Sequence, residues 1–107
     1  MTQTQVAKAK LTPKIKDAIK ADPQFKNLLT CIDRTWQVIG YETMQAIAES
    51  GEKPLKKAER LETTLDANYI STNCGNEGKA AEAYLQELEK QYDYKAVAKF
   101  LLGEVFI

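Results

Sequence analysis

The sequence predicts an all-α protein, a compact bundle of four to five helices around one long central helix at about residues 23–50. Ala, Glu, Lys, Leu and Arg supply 48 of the 107 residues, close to the share of roughly 50% that is typical of helical bundles. Apolar residues recur at spacings of three and four, which is the helical period, and Val and Ile never alternate with polar residues over a strand's length. The length fits a single domain.

The beginning of the chain predicts an arm followed by a short helix. Residues 1–10 are polar and contain two lysines, so we expect a flexible arm, with residues 11–107 forming the single helical domain. Thr12 is suited to capping a first helix, and Pro13 fits its first position, where the missing N–H costs nothing.

The second helix is the clearest signal in the sequence. Asp22 and Pro23 repeat the cap-and-proline pair, and Gly51 is the residue type that ends helices in a left-handed conformation. Gly40 lies in the middle of the run, and the sequence leaves open whether it bends or splits the helix. The apolar stripe predicted to face the core consists of Phe25, Leu28, Leu29, Ile32, Trp36, Ile39, Thr43 and Ile47.

Three further helices are predicted after Gly51. The third runs from about Pro54 to Ile70, and the fourth begins near Asn76 after a turn rich in Asn and Gly. Asp93 caps a short fifth helix, which Gly103 is expected to end. The side chains of the third helix expected to face inward are Leu55, Ala58, Leu61, Leu65 and Tyr69.

Composition excludes several kinds of chemistry. The chain has no His, which removes the commonest general base and the commonest metal ligand. The segment Gly75 to Lys79 resembles the end of a phosphate-binding loop, but Asn73 replaces the first glycine and Ala80 replaces the hydroxyl residue that would hold Mg²⁺. We therefore expect no enzymatic activity, no cofactor and no metal.

Cysteine usage favours a cytoplasmic protein. Cys31 and Cys74 are too few for a disulfide framework, and they lack the CxxC spacing of redox motifs. The prediction is two reduced thiols, with Cys74 exposed in a turn. No uncharged run is long and apolar enough for a membrane helix.

With no catalytic constellation, we expect the protein to act by binding another protein, as an inhibitor, an adaptor or an accessory subunit. The long helix carries a second apolar flank opposite its main stripe, and such a flank is either central in its own bundle or contacts another chain. Because shorter helices cannot cover its full length, we also expect a homodimer through this flank. The candidate protein interface is Val38, Tyr41, Met44 and Ala48.

The alternative is a nucleic-acid-binding regulator. Residues 1–60 contain 11 basic and 7 acidic groups, whereas residues 61–107 contain 4 basic and 8 acidic groups. The basic half could meet phosphates or simply attract the acidic half of the fold. The candidate nucleic-acid contacts are Lys8, Lys10, Lys14, Lys16 and Lys20.

Overall fold

A computed structural model describes residues 9–51, 53 and 55–106 and confirms the all-α class. The described residues are 82% helical and contain no strand, only an isolated bridge between Ala9 and Tyr92. Six helices are described rather than four or five. They are α1 (Pro13–Lys20), α2 (Pro23–Ser50), α3 (Lys57–Thr64), α4 (Ala67–Asn73), α5 (Asn76–Gln91) and α6 (Tyr94–Val105).

The polar arm lies mostly outside the described residues, which begin at Ala9. The backbone N–H of Ala9 donates to the carbonyl of Gln91 at 3.0 Å. The predicted starts of α1 and α2 are both confirmed. Thr12 Oγ1 accepts from the N–H of Ile15 at 3.3 Å, and the Asp22 carboxylate accepts from the N–H of Gln24 at 2.9 Å.

Helix α2 is a single run of 28 residues, about 42 Å long at 1.5 Å per residue. Gly51 ends it with a φ of 69°, as predicted. Gly40 does not interrupt it. A Cβ at Gly40 would lie 2.5 Å from Nη2 of Arg60, so the glycine is what allows the Arg60 side chain to lie against the helix.

The hydrophobic core forms around the first half of α2. Phe25 stacks on Phe100 of α6 with ring centroids 5.4 Å apart, and Leu85 of α5 is 2% exposed in the same cluster. Burial along the predicted stripe of α2 ends at Ile39, because Thr43 is half-buried and Ile47 is exposed. The fully buried large side chains of the core include Leu28, Ile32, Ile70, Leu85 and Leu101.

The predicted third helix is two helices. Asp66 interrupts it, because its carboxylate accepts from the N–H groups of Asn68 at 2.8 Å and Tyr69 at 3.3 Å and so starts α4. The predicted start at Pro54 lies outside the described residues. The expectation that Leu55 and Ala58 face inward is wrong, since both are exposed.

The sequence correctly predicted the glycine-containing turn before α5, but it wrongly predicted that a glycine ends α6. Gly75, with a φ of 60°, precedes α5 at Asn76 as expected. Gly103 does not end the last helix, which continues to Val105. Gly78 is buried where α5 crosses α4, and a Cβ there would lie 2.5 Å from the carbonyl oxygen of Ser71, so only glycine allows the two backbones this approach.

The prediction of two reduced thiols is wrong, because Cys31 and Cys74 form a disulfide. Their Cα atoms are 5.7 Å apart, within the range for such a bond. Cys74 is not an exposed turn residue: it is 6% exposed, and Cys31 is fully buried. The sequence hides the pairing because 43 positions separate the two residues. The bond ties the first third of α2 to the junction between α4 and α5.

Candidate functional site: the α2–α3 groove

An apolar groove runs between the second half of α2 and the segment that leads into α3. We call it the α2–α3 groove; its volume is about 430 Å³. Six large hydrophobic side chains are exposed among the described residues, and four of them line this groove: Tyr41 at 63%, Met44 at 71%, Ile47 at 40% and Leu55 at 46%. The other lining residues are Gln37, Gly40, Thr43 and Arg60.

The groove exists because α2 is longer than the rest of the bundle. Between residues 40 and 50 only Gly40, Thr43 and Ala46 are half-buried, and every other residue is exposed. The radius of gyration is 15.7 Å, above the roughly 13 Å expected for a compact chain of this length. The longest dimension of the molecule is 50 Å. The helix therefore carries apolar side chains beyond the core that could bury them.

Arg60 supplies a fixed cation at one end of the groove. Its guanidinium carbon lies 3.7 Å from the ring centre of Trp36, and Nη2 donates to the Trp36 carbonyl at 3.4 Å. Phe106 contacts the same ring edge-on, with centroids 4.9 Å apart. The Nε of Arg60 is buried and has no acceptor among the described residues. Stacking and the backbone contact hold the side chain in place without neutralising its charge.

The structure brings together half of the predicted interface. Tyr41 and Met44 line the groove. Val38 is half-buried and Ala48 is exposed, and neither lines it. Ile47 and Leu55 were expected in the core, because periodicity shows which side of a helix is apolar but not how far a neighbour extends along it.

The lysines of the nucleic-acid alternative are spread over different surroundings. Lys8 lies outside the described residues. Lys20 forms an ion pair with Glu104 at 3.1 Å, and Lys14 is exposed. Lys16 Nζ lies 5.6 Å from the ring centre of Phe100.

A second groove, of about 760 Å³, brings two of these lysines together. Lys10 and Lys16 line it with Lys99 of α6, but Asp93 and Glu104 line it as well. The acidic groups offset much of the attraction that a phosphate backbone would feel there.

Two tyrosines have shifted pKa values. The Glu42 carboxylate raises the pKa of Tyr69, whose hydroxyl donates to Glu42 Oε2 at 3.2 Å. Burial raises the pKa of Tyr84, with a smaller contribution from Asp22. Both shifts favour the neutral phenol, so neither tyrosine is activated as a base or nucleophile at pH 7.

The residues that the structure describes hold no cluster of three or more His, Cys, Asp or Glu side chains arranged for a metal ion. None of their helices combines the length and apolar character needed to cross a membrane. Comparison with known proteins finds no matching family model, curated protein or solved structure.

Proposed function

We propose that this protein is a non-enzymatic binding protein that docks against another protein through the α2–α3 groove, as an inhibitor, adaptor or accessory subunit would. The observation that carries the proposal is the grouping of Tyr41, Met44, Ile47 and Leu55, exposed in one groove. Soluble domains seldom leave large apolar side chains exposed together unless the patch binds something.

The composition of the groove also matches a protein interface. Aromatic residues, Met and Arg are the types enriched at the centres of interfaces, and Tyr41, Met44 and Arg60 represent all three. Tyr and Arg are also frequent among the few residues that carry most of a binding energy. The held guanidinium of Arg60 would meet a carboxylate or a carbonyl of the partner.

The disulfide bears on the compartment. Sequence alone favours the cytoplasm, but cytosolic reductants keep thiols reduced, and a buried disulfide persists in oxidising compartments. The Cys31–Cys74 bond therefore supports a protein that works in an oxidising compartment. Acid quenching of cells, followed by unfolding of the protein in the presence of iodoacetamide, checks this, because unfolding exposes any reduced thiol and the proposal predicts that neither cysteine is alkylated.

Photo-crosslinking in the native cell tests the proposed groove. Tyr41 is replaced by p-benzoylphenylalanine, and the matched control carries the same replacement at Tyr94, which is 57% exposed on α6. We expect a discrete crosslinked protein from position 41 and none from position 94. Equal labelling from both positions, or none from either, would contradict the proposal.

Nucleic-acid binding, the alternative function, is distinguished from protein docking by its dependence on salt and on lysines. Binding through lysines to phosphates weakens steeply as salt rises, whereas docking through apolar side chains does not. An electrophoretic shift with DNA or RNA that Lys10→Glu and Lys16→Glu abolish, without a protein crosslink at position 41, would favour the alternative.

A further inference from the structure

The outward side of α2 carries a stripe that suits a second helix. Its members recur at spacings of three and four and are all exposed. We call this the outer stripe; it consists of Arg34, Gln37, Tyr41, Met44 and Ala48. The spacing is that of helices which pair at a shallow angle along a continuous seam. The outer stripe shares Gln37, Tyr41 and Met44 with the α2–α3 groove.

Two opposite charges, Arg34 in the outer stripe and Glu49 next to its last member, lie near the two ends of the stripe. Arg34 and Glu49 are exposed, and neither takes part in an ion pair among the described residues. They are about 22 Å apart along the helix, and the point midway between them is next to Tyr41. An antiparallel copy of α2 centred between Tyr41 and Glu42 would therefore bring Arg34 of each copy level with Glu49 of the other.

We infer that the protein which occupies this face is a second copy of the chain, paired antiparallel through α2 about a two-fold axis beside Tyr41. The inference rests on the proposed function and names its partner. A two-fold contact uses one patch twice, so Tyr41 and Met44 of each copy cover those of the other. The Arg34–Glu49 pair forms twice.

The ion pairs set the orientation of the dimer more than its affinity. Exposed ion pairs contribute little to stability, but like charges placed side by side discriminate against the wrong arrangement. A parallel pairing in register would place Arg34 against Arg34 and Glu49 against Glu49. Only the antiparallel arrangement joins opposite charges at both ends of the seam.

Charge reversal with sedimentation equilibrium tests this arrangement. The wild type is expected at twice the chain mass of 12.0 kDa. Arg34→Glu and Glu49→Arg should each weaken dimerisation about tenfold, because two attractive contacts become repulsive at once. The variant with both reversals restores opposite charges and should dimerise like the wild type. Lys79→Glu, an equal charge reversal on the exposed side of α5, should have no effect.

Each other outcome overturns a definite part of the account. A wild-type chain that stays monomeric while position 41 crosslinks to a different protein overturns the second copy and leaves the proposed function standing. A monomer with no crosslink at position 41 overturns both. A dimer that Tyr41→Asp and the two reversals leave intact uses another face, which overturns the arrangement. Circular dichroism of each variant shows that it is folded.

Discussion

Reducing the Cys31–Cys74 bond should remove a large part of the protein's stability. The bond closes a loop over a sequence separation of 43. In the chain-entropy model, a loop of that size lowers the entropy of the unfolded chain by about 13 cal/mol/K, which amounts to about 4 kcal/mol at 25 °C. Small domains have a total stability of only about 5–15 kcal/mol.

The same free energy gives a large change in melting temperature. With an unfolding entropy of about 2.1 cal/mol/K per residue for a chain of this length, a loss of about 4 kcal/mol lowers the melting temperature by roughly 18 °C. Reduction leaves both sulfur atoms in the core, so packing changes little and the effect isolates the cross-link. Substitution of the cysteines would add a cavity term.

Urea unfolding followed by circular dichroism, with and without a phosphine reductant, measures the difference. The double variant Cys31→Ser and Cys74→Ser is the matched control, because its stability should not respond to reductant. Intact mass spectrometry should show the untreated wild type lighter than the reduced form by two hydrogens. A difference below about 1 kcal/mol, or free thiols in the untreated protein, would refute the reasoning.

Three further predictions concern packing, capping and pH. Gly78→Ala should lower the free energy of unfolding in urea by about 1–3 kcal/mol, because the added methyl group would clash with backbone carbonyls of α4. The control Gly103→Ala should not be destabilising in the same assay, because its Cβ would have no atom within 4 Å. Asp66→Ala should lower the free energy of unfolding by about 1 kcal/mol and reduce the amide hydrogen-exchange protection of α4. The reason is that the Asp66 carboxylate accepts hydrogen bonds from the first N–H groups of that helix. The fold raises the pKa of Tyr84 above its usual 10.0, so the stability that comes from the neutral phenol is present below pH 10.0 and is lost as the pH rises through the folded pKa. Between about pH 9 and about pH 11, the free energy of unfolding measured in urea should therefore fall less for Tyr84→Phe than for the wild type.

Local signals in the sequence predicted the starts of α1 and α2 and the end of α2 correctly. Capping by Thr12 and Asp22, and the end of α2 at Gly51, depend on residues no more than four positions apart, so the local sequence determines their geometry. The same reasoning failed at Gly103, because a glycine near a chain end is tolerated inside a helix at a cost near 1 kcal/mol. It also missed Asp66, whose capping role the apolar spacing on either side concealed.

Features that depend on distant residues could not be predicted. The disulfide requires the α4–α5 junction to lie against the first third of α2, and the Arg60 stack on Trp36 requires α3 to return along α2. The sequence did place Tyr41 and Met44 in a candidate interface, and both are exposed. It misplaced Ile47 and Leu55, because the extent of the core is set by how the shorter helices pack.

Oxidative footprinting of Met44 tests most directly whether a protein covers the α2–α3 groove. Met44 is 71% exposed in the isolated chain, so photochemical oxidation of dilute purified protein should convert it readily to the sulfoxide. In intact cells we predict that Met44 is oxidised far less while Tyr94 is modified to the same extent in both samples, as measured by mass spectrometry. Equal oxidation of Met44 in cells and in dilute solution would contradict the proposal that this groove is an interface.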